Sequence, residues 1–469
     1  MTPEEREKYY NLCNADEPLA ADDARLVEID LYGKDDTLAR GYDWVEEMAS
    51  AIELSRSSVR ELFTGLPGSG KSTVLKRLTK RLGECSNGGF LCVPIDATVR
   101  FDLNAPIEVP DVLVMVAYEI ECAVLRAEGE DPSKALTDGY LTRFWTWLKR
   151  TDVEFEKFEL GAVAEAGDGK NKASIGPKVV LGLRSNPSLR QRLHATVEQH
   201  MTTFLGEVRE EIGTLHDRAR GRGRRGVVVI LDSLEKLSGI STNFEDVLAS
   251  AERLFASGAL NLRLLREDPG GPLPRLVHAI YTVPPALALR RAITGLRFMP
   301  MIKLRERDRL DEFEPGYMAA RELIRKRVPD TVLAGIFGES VCERRARELI
   351  RWSGGYPREI VRLLKTMVAQ TAVVNERLFR RLLSTAGDDY RRTVPLEAVP
   401  WLARVALDRK LTVENDDHRK AVDQLISNNV VLRYQNDREW FDLHPAVADM
   451  EEIVEARNAL LAAREEARK

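Results

Sequence analysis

The chain has 469 residues, room for two or three domains at about 100 to 200 residues each, and its 44% hydrophobic and 31% charged residues exclude a disordered or fibrous protein. A formal net charge of -4 supplies no overall attraction to nucleic acid, although the local run Arg220 to Gly226 is basic, and five scattered cysteines without a CxxC pair argue against a disulfide frame or a structural metal. No apolar run approaches the roughly 18 to 20 residues of a bilayer crossing, and the acidic start has no secretory pattern, so the expected compartment is the cytoplasm and no membrane partner is expected.

Residues 1–58 alternate charged and apolar positions at helical spacing, with Gly33 and Gly41 as breaks, and form an N-terminal lead-in. A short strand is predicted over 59–64, a glycine-rich turn over 65–70, and a helix whose apolar face is Val74, Leu75, Leu78 and Leu82. A second buried strand covers 90–95 and ends at Asp96, and Val112, Val116, Ile120 and Val124 mark an amphipathic helix. Strand, helix, strand, helix is the order of a parallel sheet with crossover helices. The segment 151–188 breaks that order and reads as an inserted β-hairpin, followed by one long helix over about 189–218. The sheet resumes with five aliphatics at 227–231 ending in Asp232, then strands over 276–283 and 298–304. Helices fill 311 to about 385. A helix over 418–427 and strands over 430–434 and 439–443 suggest a winged helix, with a charged helical tail after 447. The expected fold class is therefore α/β: a P-loop NTPase parallel sheet over 59–310 with a hairpin and long-helix insertion at 151–225, a helical lid at 311–388, and a winged-helix-like module at 389–469.

Gly65-Leu66-Pro67-Gly68-Ser69-Gly70-Lys71-Ser72 matches G-x-x-x-x-G-K-[ST] in full and lies between a predicted strand and a predicted helix. Glycines let successive backbone N–H groups converge on phosphate oxygens at a helix N-terminus. Lys71 reaches the β and γ phosphates, and the Ser72 hydroxyl ligates magnesium. Gly65, Pro67, Gly68, Ser69, Gly70, Lys71, Ser72 and Thr73 are accordingly the candidate nucleotide-binding residues. ATP and Mg2+ are the expected cofactors. Asp232, at the end of the strand 227–231, is the candidate Walker B carboxylate and second metal ligand beside Ser72. Glu235 follows as a candidate catalytic base, with a helix-start carboxylate as the plain alternative.

Together these residues resemble the AAA+ and STAND group of ATPases, including those of bacterial signalling and anti-phage defence, over roughly 26–385. Many AAA+ proteins place the catalytic glutamate directly after the aspartate, where this chain has Ser233. The resemblance implies that Thr282, in Ile280-Tyr281-Thr282-Val283-Pro284, is a sensor 1 residue near the γ-phosphate. It also implies that Arg358, in Ser353-Gly354-Gly355-Tyr356-Pro357-Arg358, is a sensor 2 arginine opening a lid helix, and that an arginine finger would come from Arg290, Arg291 or Arg297. The winged helix has two readings. It is a regulatory clamp, or a DNA-binding module using Arg419, Lys420, Asn428, Asn429 and Arg433, which Asp416, Asp417 and Asp423 interrupt. The expected function is an ATP-driven conformational or assembly switch with self-association and a separate effector or sensor partner. The alternatives are a DNA-acting ATPase resembling initiator or transposition-helper proteins, and a non-hydrolysing nucleotide-bound scaffold.

Overall fold

The computed structural model describes all residues except 35–36, 85–87, 138, 153–154, 156–185, 238–242, 263–274, 291, 309–310, 414–415 and 468–469. The chain divides into two compact units. One comprises Met48–Thr64 and Leu78–Arg297; the other comprises Met1–Glu47, Gly65–Arg77 and Phe298–Lys469.

The sheet comprises β1 (Arg60–Gly65), β2 (Leu91–Asp96), β3 (Val227–Asp232), β4 (Val277–Thr282) and β5 (Leu296–Met299), in the order β2-β3-β4-β1-β5, and all of it but Gly65, Phe298 and Met299 falls in the first unit. β1 through β4 run parallel, with Phe63 opposite Thr282, Leu231 opposite Tyr281, and Asp96 opposite Asp232. Val227 to Leu231 form the central run because a strand covered on both faces needs apolar side chains at every position. The helix Val109–Glu128 packs on this sheet, starting at a capping box between Glu108 and Asp111 and stopping at Gly129 in the left-handed region. Every parallel strand delivers its C-terminal end to one edge. That edge therefore gathers Asp96, Asp232 and Thr282, and β1 leaves it as the glycine-rich loop.

Two expectations change here. The single helix over 189–218 is two, Pro187–Gln199 and Met201–Gly221, separated by non-helical backbone at His200. Leu189, Leu193, Val197, Phe204, Val208 and Ile212 are buried in near-continuous helical register across the break, so periodicity does not reveal it. The inserted hairpin expected over 151–188 lies almost wholly outside the described residues.

The second unit has its own core. Ala320, Ile324, Leu349, Ile360 and Leu364 from the lid helices meet Cys13, Val27, Ile29 and Ala39 from the N-terminal residues. The strand expected over 298–304 ends at Met299 instead. Beyond it the extended backbone divides its hydrogen bonds among three regions. Met301 N–H donates to the Arg433 carbonyl, Ile302 N–H to Gly355, and Lys303 N–H to Ala39, at 2.9, 3.0 and 2.9 Å. Alternation of partners satisfies the backbone without forming a ladder. The C-terminal module is winged-helix-like. Asp416–Ser427 leads through Asn429, at φ +56°, into the antiparallel pair β6 (Val431–Gln435) and β7 (Glu439–Leu443). Tyr434 stacks on its cross-strand neighbour Trp440 at 4.4 Å, as packing within the wing.

Candidate functional site

The glycine-rich loop runs from β1 into the helix Lys71–Gly83, the context its sequence requires. Gly68 and Gly70 take φ of +78° and +100°, conformations that a side chain would strain. Lys71 is buried, and its Nζ donates to the carbonyls of Gly65 and Leu66 at 2.9 and 3.2 Å, which keeps the ammonium over the loop. Ser69 is fully buried, and its hydroxyl has no hydrogen-bond partner among the described residues. Thr73 accepts the Leu19 N–H at 3.3 Å, and Lys76 donates to the Pro18 carbonyl at 2.6 Å, so the N-terminal segment is tied along the start of this helix.

Beneath the loop is an ion network that no motif announced. Arg40 donates from Nη2 to the Ser69 carbonyl at 2.6 Å, and its Nη1 lies 3.5 Å from Asp30. Arg77 pairs with the other oxygen of Asp30 at 3.1 Å and with Glu28 at 2.8 Å. Asp30 and Arg40 are 1% and 2% exposed, so water contributes little to holding their charges. Burial pushes the Asp30 carboxyl up and the Arg40 guanidinium down, and the opposite charges work against both shifts.

A crevice opens between the loop, the N-terminal segment and the lid helix. Leu19, Leu26, Val27, Leu323 and Val361 give it an apolar wall. Gly68 to Gly70, the guanidinium-bearing residues Arg40, Arg77, Arg327 and Arg358 and the carboxylates Glu17 and Asp30 supply its polar lining. Its apolar lining suits a flat apolar ring, and the loop with its arginines suits anionic oxygens.

The lid motif closes on the loop. A Cβ built at Gly68 would stand 2.7 Å from atoms of both Tyr356 and Arg358. Arg358 is about a third exposed and lies 3.5 Å from Asp16, at the mouth of the crevice. Tyr356 is buried, which pushes its hydroxyl up to about 12, and that hydroxyl accepts from Asn429 Nδ2 at 3.2 Å. The same amide group lies 3.4 Å from the Pro67 carbonyl. The structure thus turns Asn429, read in the sequence as a possible DNA contact, inward onto the phosphate loop. Arg433 is also turned inward, buried against the Phe298 carbonyl and paired with Glu439 at 3.1 Å. Lys420 and Asn428 remain exposed.

At the sheet edge, Asp232 accepts the Ser233 N–H at 2.7 Å, and Ser233 takes φ +70°, which turns the chain sharply into the short helix Leu234–Lys236 carrying Glu235. Thr282 is fully buried; its hydroxyl accepts the Leu234 N–H at 3.0 Å and donates to the Leu231 carbonyl at 3.4 Å. Its hydrogen bonds therefore go to the turn after Asp232. Of the three finger candidates, Arg297 pairs with Glu61 at 2.8 Å, Arg290 lies 3.9 Å from Glu252, and Arg291 is outside the described residues.

Among the described residues there is no cluster of three or more His, Cys, Asp or Glu that could hold a metal, and no helix is long and apolar enough to cross a membrane. No protein-family model matches the chain, and no curated protein matches its sequence. Among solved structures it is similar to a Walker-type ATPase of Pyrococcus abyssi, with 15% identity over 86% of this chain and 94% of that one and a TM-score of 0.36. It is similar as well to a chain of the Drosophila ORC structure bound to DNA, with 12% identity, 97% and 99% coverage and a TM-score of 0.33. A third similar structure is Cdc6p of Pyrobaculum aerophilum, at 11% identity, 89% and 95% coverage and a TM-score of 0.30.

Proposed function

We propose that the chain binds ATP at Gly65 to Thr73 and hydrolyses it slowly, as a cytoplasmic AAA+/STAND-like switch of conformation or assembly. The observation that carries this reading is the crevice that Gly68, Ser69, Gly70 and Thr73 of a phosphate-loop sequence share with apolar residues and with Pro357 and Arg358 of the lid motif. The buried, unpartnered Ser69 hydroxyl and the positive-φ glycines fit a phosphate-bearing ligand. In this reading the apolar wall takes the base, and Lys71 takes the terminal phosphates. Ser72 and Asp232 would hold Mg2+, since a hydroxyl and a carboxylate form the oxygen-only donor set this ion prefers. The ion would neutralise phosphate charge when bound. Glu235 is the candidate base, and Arg358 the candidate reader of the γ-phosphate.

Lid and wing both touching the loop favours the regulatory reading of the winged helix over direct DNA binding, because Asn429 and Arg433 are committed inward. Self-association and a separate effector, as in a signalling or defence assembly, follow as the expected partners. A second reading has one observation in its favour: a cleft on the wing where Arg307, Arg409, Lys410 and Arg438 outnumber the lining carboxylates Asp437 and Glu439. It predicts DNA-stimulated turnover that falls steeply with salt.

Titration of the intact chain with ATP and magnesium tests the primary reading. Lys71→Ala should weaken ATP roughly ten- to a hundredfold, the value of a hydrogen bond to a charged group. Ser72→Ala should remove the magnesium dependence of the affinity. Wild-type ATP affinity in Lys71→Ala would sink the site. Bound ATP that is retained without turnover would favour the scaffold instead.

A further inference from the structure

We infer that Arg40 is a positioning residue of the phosphate loop, setting the direction of one of the backbone donors that meet the nucleotide's phosphates; the inference rests on the ATP-binding reading above. The argument begins with the peptide bond between Ser69 and Gly70. A trans peptide is planar, with its C=O and N–H pointing to opposite sides. Arg40 Nη2 holds the Ser69 carbonyl at 2.6 Å, so the Gly70 N–H is held facing away from Arg40. Gly70, at φ +100°, is a residue whose backbone would otherwise have wide freedom, and both guanidinium Nη atoms lie within 4 Å of where its Cβ would be. A flexible peptide becomes a fixed donor, and fixed donors are what make an anion-binding loop effective without reorganisation on binding.

The device is itself held from several sides. Asp30, between Arg40 and Arg77, sets the guanidinium on one side, and Arg77 belongs to the helix that follows the loop. Met299 Sδ lies 3.8 Å from Nη1, and the Trp44 indole N–H donates to the Arg40 carbonyl at 3.2 Å, which fixes the main chain from which the side chain projects. An arginine with these constraints cannot rotate to another partner without leaving the buried Asp30 to Arg77 alone. Lysine would not replace it. A single ammonium can sit beside Asp30 but lacks the planar fork that spans Asp30 and the Ser69 carbonyl together.

The test separates positioning from general support of the fold by counting phosphates. ATP, ADP and adenosine are titrated into the full chain carrying Arg40→Lys or Arg40→Met, alongside wild type. Loss of an oriented donor should lower ATP and ADP affinity roughly tenfold or more while leaving adenosine close to wild type. An equal loss for all three ligands would overturn the inference, because Arg40 would then be shaping the crevice as a whole. Unchanged ATP affinity in both variants would overturn it as well. If Arg40→Met does not fold, Arg40→Lys decides alone on the same criteria, since it keeps a cation beside Asp30. Failure of wild type itself to bind ATP would overturn the nucleotide reading and this inference with it, an outcome distinct from wild-type binding that the variants leave intact.

Discussion

Thr282 shows how one hydroxyl can carry two meanings. The family resemblance places it beside the γ-phosphate, whereas its two hydrogen bonds hold the turn that follows Asp232. The two roles make different predictions for Thr282→Val, which keeps the shape and removes the hydroxyl. If the hydroxyl supports the turn, the buried Leu234 N–H is left unsatisfied at a cost of about 1–3 kcal/mol, and hydrolysis falls while ATP affinity stays near wild type. Thermal melting and turnover measured together decide it. A variant that melts like wild type yet no longer turns over would place the hydroxyl on the attacking water. Asp232 was legible in the sequence because a run of five aliphatics ending in a carboxylate has one sensible place in a buried parallel strand. The direction in which Thr282 spends its hydrogen bonds was not legible, since it depends on a neighbour strand about fifty residues away in sequence.

At the scale of elements, the lid motif is held by close backbone approach as well as by side chains. Gly354 and Gly355 both take positive φ, and a Cβ on Gly355 would lie 1.9 Å from the Ile302 carbonyl oxygen that stands against it. Gly355→Ala must therefore either move the extended segment after β5 or break the Ile302 to Gly355 hydrogen bond. Gly129, at φ +78° with nothing within 4 Å of its Cβ position, is the matched control. Gly129→Ala should cost about 1 kcal/mol for conformation alone, and Gly355→Ala about 1–3 kcal/mol more through overpacking. Denaturant midpoints of the two variants check this, and equal losses would refute the close approach. The glycine pair could be read as a helix stop because that meaning is local. Its second use, admitting Ile302, was hidden, as was the seating of Val27 and Ile29 in the lid core, because both join residues far apart in the chain. Local periodicity revealed the first four strands, the lid helices and the winged hairpin; it failed over 298–304, where the strand ends at Met299, and at His200, where buried positions stay in phase through a break.

At the scale of the whole molecule, the units have separate cores, and the phosphate loop belongs by packing to the unit that contains the lid and the wing. A ligand that stabilises the loop should therefore be felt first by its companions in that unit: the N-terminal segment near Leu19 to Asp30, the lid around Tyr356 and Arg358, and the wing at Asn429. Ligand at about a hundred times its Kd adds about 2.7 kcal/mol to the state that binds it. Hydrogen exchange should show that gain as slower exchange in those three segments. Arg358 gives the prediction its specificity. Its side chain stands at the mouth of the crevice with one exposed carboxylate, Asp16, beside it, so a γ-phosphate would be a competing and more highly charged partner. ATP should therefore protect the lid and wing more than ADP does, because a ligand shifts an equilibrium only by its differential affinity for the two states. In Arg358→Ala the loop should still bind both nucleotides, and the difference between them in the lid and wing should vanish. Exchange profiles of wild type that are the same with ADP and with a slowly hydrolysed ATP analogue would mean that the lid does not read the γ-phosphate. The scaffold reading would then account better for the same crevice.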